Sequence, residues 1–247
     1  MIAQYILSLV AFLGCDPNPA TSDAGPVIAA WNTARKDVHA VGASFVRYEY
    51  DSVFGTFTKC TGDVHFTTRQ NGHWAFLPIA DGEAPKKVQR GDSTYVFRKV
   101  AAQRYLWDGD VVTVIDENDK TYQRLPRTTS LFGTMLFPHV NAHCPFLPGL
   151  PDKEAIAEWT FTAISDSDDE IRLRAEPPSE LDTRFRECEV ILHKPHMNLY
   201  AVRYIDPTGN RESVFVFTAV HHNPTKSRTV DLENYTDAGT SVGSTPR

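Results

Sequence analysis

The sequence predicts a mainly β protein. A single antiparallel sheet of about 11 strands is expected to curl into an incomplete β-barrel, with an N-terminal helix and a helical lid insert. Three observations carry that expectation. Long stretches alternate apolar with polar residues at period two, as half-buried strands do. Short turn sequences separate them, among them Asn71-Gly72, Asp108-Gly109 and Pro207-Thr208-Gly209-Asn210. Such connections suit hairpins and leave no room for the crossover helices of parallel strands. One central stretch, running from Arg127 to Trp159, breaks the alternation with four prolines and the apolar run Leu131-Phe132-Gly133-Thr134-Met135-Leu136-Phe137.

Taken in order, the elements follow from local pattern. Ile28, Trp31, Ala34 and Val38 recur at helical spacing, and Gly42 can end that helix. From Ala43 the period becomes two. Residues 44–54 and 57–68 read as paired strands around Gly55. Residues 72–79, 93–100, 102–110, 111–116 and 120–126 continue the meander. In the insert, residues 129–137 and 152–159 can form short helices, with Asp152 as an N-cap. Strands resume over 158–166, 170–177, 185–194, 199–206 and 212–220. Both faces of the last hairpins carry apolar groups, so a curled sheet needs a cover on each side. The helix and the insert are the available covers, and a run such as Leu131–Phe137 is too apolar for a surface loop. A sheet with a movable plug has room for an apolar ligand; the alternative is a solid core in which the helices fill the curve.

Bulk composition narrows the class. The chain has 247 residues, 41% of them hydrophobic and 23% charged, which fits one globular domain. Its 25 basic residues are scattered and the net charge is −6, so the concentrated basic footprint of a nucleic-acid binder is missing. Residues 1–15 hold an apolar run of about a dozen residues, shorter than the roughly 20 of a membrane-spanning helix and of signal-peptide length. Leu13-Gly14-Cys15 resembles a lipobox, which makes Cys15 a lipidation candidate; a plain signal peptide cut further on is the alternative. Either implies export to the periplasm or cell envelope. Residues 16–26 read as a flexible tether, 27–224 as the domain, and 225–247 as a polar, disordered tail. With Cys15 lipidated or removed, Cys60, Cys144 and Cys188 remain, an odd number that suggests one bridge and one free thiol in no assigned pairing. A monomer is expected.

Read together, these segments resemble the LolA-like outer-membrane lipoprotein carrier superfamily over residues 27–222. An opening helix leads into a strand at Ala43-Ser44-Phe45. Gly62-Asp63 starts an apolar strand, a basic residue precedes Trp74-Ala75-Phe76, and Asp108-Gly109 turns before a short strand pair. The helical insert follows, then two closing hairpins joined through Asp206-Pro207-Thr208-Gly209-Asn210. The resemblance implies a half-barrel whose greasy interior shelters the acyl chains of lipoproteins, or free lipid, beneath a helical lid. It further implies an inner-membrane lipoprotein transporter and an outer-membrane acceptor as partners, and a membrane contact through the anchor if Cys15 is lipidated. Arg69 matches the arginine that holds the lid shut. Leu131, Phe132, Met135 and Leu136 would fill the cavity when it is empty, Met135 adapting to irregular shape. The candidate wall is Phe45, Phe66, Trp74, Phe76, Tyr95, Phe97, Phe161, Tyr204, Phe215 and Phe217, with strand register left to decide which face inward. Cargo delivery, an envelope stress sensor and an interaction protein are all compatible with such a half-barrel.

A competing chemistry is a zinc site, because His139, His143 and Cys144 fall together and His221-His222 could add a ligand. Pro138 and Pro145 bracket that cluster too tightly for a good helix. No nucleophile elbow, phosphate loop or dinucleotide fingerprint occurs, so no catalytic residue, metal or cofactor is assigned.

Overall fold

The structure, a computed structural model, describes residues 22–68, 71–108, 111–126, 159–176, 186–194, 196–224 and 232–238. The chain runs β1 (Ser22–Asp23), α1 (Gly25–Ala34), β2 (Val41–Asp51), β3 (Thr56–Thr68), β4 (Asn71–Pro78), β5 (Lys87–Arg90), β6 (Ser93–Phe97), β7 (Gln103–Asp108), β8 (Val111–Asp116) and β9 (Thr121–Pro126). It continues through β10 (Thr160–Asp166), β11 (Glu170–Glu176), β12 (Glu187–His193), β13 (Asn198–Ile205), β14 (Arg211–His222) and β15 (Thr236–Asp237).

All fifteen strands belong to one sheet, in the order β1-β10-β11-β12-β13-β14-β2-β3-β4-β7-β8-β9-β15, with the β5–β6 hairpin branching off β3. The path begins at β1 and ends at β15 without returning on itself among the described residues, so the sheet is open. Its seam is β2, which pairs with β14 on one side and β3 on the other along its whole length. The strand count therefore exceeds the eleven expected. Among the strands beyond that number are β1 and β15, two residues each, and the four-residue β5. β1 lies in the stretch read as a tether and β15 in the stretch read as a tail. The ladder is antiparallel except at β3–β6 and β9–β15, which are parallel. The insert of residues 127–158 lies outside the described residues.

The helix is shorter than its sequence pattern suggested. Pro26 presets the first turn, and the Gly25 amide donates to the Asp23 carboxylate at 2.8 Å. It stops at Ala34 rather than at Gly42, which lies inside β2. The connection over 35–40 is instead fastened to the end of β14. The Asn223 side chain accepts from the His39 and Ala40 amides at 2.7 and 3.1 Å and donates to the Asp37 carbonyl at 3.0 Å. Asn223 sits at φ 49°, a left-handed conformation that asparagine tolerates better than most residues.

Alternation sorts the strands into two faces. On one, Ala43 and Phe45 of β2, Val64 of β3, and Trp74 and Phe76 of β4 join Phe215 and Phe217 of β14 in a single buried cluster. The cluster runs on through Val202, Val190 and Leu173 to Ala163 of β10, and the other way through Tyr105 to Val112 of β8. This face is concave. β2 and β3 lie between β4 and β14, which in a flat sheet would be about 14 Å apart, yet the rings of Trp74 and Phe215 have centroids 5.7 Å apart. Helix α1 packs on the concave side through its fully buried Trp31, with Val27 and Ile28 against the same cluster. On the opposite face the β5–β6 hairpin lies against β2 and β3, where Tyr95 meets Tyr50 edge-on and Phe97 meets Phe57. Cys60 is buried and free, so it does not take part in the bridge that the cysteine count suggested; Cys188 is buried too.

Candidate functional site

The concave face is the candidate site, and register decides its lining. In an antiparallel ladder directly opposed residues project to the same side. Phe45 therefore shares a side with Phe217 across one strand boundary and with Gly62 across the other, while Gly62 faces Phe76. The missing side chain at Gly62 makes a seat for the Phe45 ring. A Cβ there would fall 2.3 Å from Phe45 Cζ and 2.0 Å from the Ala75 carbonyl oxygen. Gly62→Ala is accordingly expected to cost about 3 kcal/mol or more through displacement of the ring and of β4, read as a lower urea midpoint at unchanged slope. A loss below about 0.5 kcal/mol would contradict this packing.

Six of the wall candidates come together here. Phe45, Trp74, Phe76, Phe215 and Phe217 form a continuous aromatic plate with neighbouring centroids at 5.3–6.4 Å, and Tyr204 meets Phe215 at its margin at 6.3 Å. Phe161, on β10, packs half-buried against the same cluster near the rim. Tyr95 and Phe97 lie on the opposite face, because the β5–β6 hairpin crosses behind the sheet rather than continuing it. The backbone of Phe66 pairs with Val41; its side chain lies outside the described residues. So do Arg69, Leu131, Phe132, Met135 and Leu136, the lipidation candidate Cys15, and the His139, His143 and Cys144 trio. Among the described residues no group of three or more His, Cys, Asp or Glu could hold a metal ion, and no helix is long and apolar enough to cross a membrane.

Polar groups that the sequence reading passed over also line this face. Further along β2, Arg47 lies over the rings of Phe76 and Phe215, its guanidinium carbon 4.9 and 6.0 Å from their centroids. It donates to the Glu49 carboxylate at 2.6 Å. The neighbouring Tyr105 hydroxyl donates to Gln103 at 2.9 Å, and burial pushes that phenol up from its usual range. Burial also pushes up the Cys60 thiol, which keeps it protonated and poorly nucleophilic. The face thus divides along β2: apolar from Val41 to Phe45, then polar at Arg47 and Glu49. An Arg two residues before a Glu on one strand was the available signal, since period two puts both on one face. At the Val41 end, Arg35 follows α1 with its guanidinium 5.0 Å from the Trp31 ring centroid. Burial pulls it down to about 10.

Such an arrangement can hold a long apolar group against the aromatic plate, with polar contacts at either end.

No protein-family model matches the chain, and no curated protein matches it. Among solved structures it is similar to a LolA superfamily protein from Nitrosomonas europaea, at 9% identity over 83% of this chain and 96% of that one, TM-score 0.37. It is similar to the lipoprotein LppX of Mycobacterium tuberculosis, at 9% identity over 82% and 98%, TM-score 0.40. It is also similar to a chain of the Pseudomonas aeruginosa MucA/MucB complex, at 14% identity over 83% and 59%, TM-score 0.40.

Proposed function

We propose that this chain is a lipid-binding module of the cell envelope that shelters acyl chains, those of lipoproteins or of free lipid, against its concave aromatic face. One observation carries the reading: the face is too wide for its described cover. The buried cluster extends over ten adjacent strands from β10 to β8, about 43 Å along the curve at strand spacing. Helix α1 has ten residues, so it is about 15 Å long. The cover we propose for the rest is the insert, acting as a lid that competes with a ligand. Leu131, Phe132, Met135 and Leu136 close the hollow when it is empty and yield to an acyl chain. Arg69 at the end of β3 holds that lid.

The energetics suit a carrier. Each buried methylene contributes about 0.8 kcal/mol, so ten of them supply about 8 kcal/mol of gross driving force. Ordering the chain and displacing the lid offset part of this, which leaves binding strong enough to compete with water and weak enough for transfer to an acceptor. The proposed role is binding, without catalysis.

The test is direct. The full chain, purified from bacterial membrane extract, is expected to carry acyl lipid or a lipidated peptide detectable by mass spectrometry. It is also expected to bind the fluorescent fatty acid cis-parinaric acid. Leu136→Glu should reduce the bound lipid severalfold, since a carboxylate in the lid disfavours apolar contact. A chain that carries no lipid and does not bind the probe would overturn the assignment.

A further inference from the structure

The described arginines that are buried or half-buried are nearly all paired. Arg47, Arg90, Arg104, Arg172, Arg174 and Arg203 each have a carboxylate oxygen at 3.8 Å or less. Arg35 differs. The residue is 5% exposed and no carboxylate among the described residues pairs with it; its Nε, like those of Arg47, Arg104 and Arg174, is buried without a hydrogen-bond partner. Its neighbour Asn32 holds a buried Oδ1 that is likewise unpartnered. The aromatic face of Trp31 supports the guanidinium from below. His222, which opposes Val41 at the end of β14 and so projects to the concave side, is near enough that the Arg35 charge, added to burial, holds its imidazole below the usual range. Burial lowers Arg35 itself only to about 10, so it remains charged at neutral pH. A desolvated cation without a counter-charge is strongly unfavourable, and it sits where the apolar half of the concave face ends.

We propose that Arg35, carried on Trp31 and flanked by His222, is the binding site for the oxyanion head group, carboxylate or phosphate, of the acyl ligand whose chain lies along the concave face. The inference rests on the lipid-binding reading above and adds a chemical requirement to it: the ligand is an anionic amphiphile, oriented with its head at the helix end and its tail toward Phe45. Guanidinium geometry suits this, because its fork of N–H donors matches two oxygens of one carboxylate or phosphate.

The experiment compares cis-parinaric acid with its methyl ester, which has the same chain and no charge, by fluorescence titration of the full chain at neutral pH. The acid is expected to bind about tenfold tighter than the ester, the margin of a charge-assisted hydrogen-bonded pair. Arg35→Met should bring the two ligands within about twofold, and Arg35→Lys should restore part of the preference. Equal binding of acid and ester by the unaltered chain overturns the head-group site and leaves the lipid-binding reading standing, and this holds even if Arg35→Met does not fold. Binding of neither ligand overturns both. Inorganic phosphate is the remaining arm: if it raises the melting temperature as much as the parinarate does, the site takes a free anion and the head-group assignment falls.

Discussion

Replacing Phe45 with alanine is expected to lower the unfolding free energy by about 4 kcal/mol. The residue is 2% exposed and stands at the seam of the sheet. Its ring meets Trp74 at 5.3 Å, Phe76 and Phe215 at 5.6 Å, and Phe217 at 6.4 Å. Truncation removes the shared partner of four rings borne by two strands that are not paired with each other, β4 and β14. Collapse around the gap is limited because Gly62 beneath the ring has no side chain to move in. The cavity contribution therefore adds to the lost transfer free energy rather than being relaxed away. Phe161→Ala provides the contrast: that ring is half-buried on β10, and about 1 kcal/mol is expected. Guanidinium unfolding monitored by tryptophan fluorescence reads both. A Phe45→Ala loss no larger than that of Phe161→Ala would show that the aromatic plate is not the core of the fold.

The parts of this architecture that were legible in the sequence are those where alternation and burial agree. Phe215 and Phe217 recur at period two, so their shared face follows from spacing; that Phe45 joins them came only with the register that sets it opposite Phe217. β12 was read as a strand, but its faces could not be told apart: Cys188 through Leu192 are all buried, so side chains on both faces are covered. The two-residue strands β1 and β15 are too short to carry any period. Tyr95 and Phe97 look like wall residues because their own strand alternates correctly. Their displacement to the far face comes from β6 pairing in parallel with the start of β3, a long-range choice that leaves no local mark. Arg35 was hidden in a similar way. A basic residue just after a helix ordinarily faces water and the helix dipole, and only the tertiary position of Trp31 buries this one. The Arg47–Glu49 pair was readable from spacing alone, yet a charged pair in a strand reads first as a solvated face.

The second face of the sheet predicts the other large effect. Its apolar residues are interrupted by a chain of charges across β11, β12, β13 and β14, running from Arg174 through Glu187 and Glu189 to Arg203 and Glu212. The chain ends at Arg90 of the crossing hairpin, which lies over the Tyr50 ring. Glu212 is its keystone. It accepts from Arg90 at 2.5 Å and from Arg203 at 2.7 Å, with 16% of its side chain exposed. Burial alone would raise this carboxyl; the hydrogen bonds from Arg90 and Arg203 and their charges prevail and hold it below its ordinary value. Glu212→Gln is expected to cost about 3 kcal/mol at neutral pH. Arg203 retains Glu187 and Glu189 at 3.6 and 3.4 Å, whereas Arg90 loses its carboxylate and the hairpin loses its polar tie to β14. The pH dependence has a fixed sign. A carboxyl depressed on folding contributes stability that is fully present above its unfolded value, about 4.3, and is lost as pH falls through the lower folded value. The gap between the native chain and Glu212→Gln should therefore be widest at neutral pH and narrow progressively below about pH 4, as Glu212 takes up its proton and comes to resemble the glutamine. Urea unfolding of both proteins across that range measures it. A gap that stays constant on acidification would mean that Glu212 acts through shape rather than charge, and the hairpin would then be held to the sheet by its pairing with β3 and the packing of Tyr95 and Phe97.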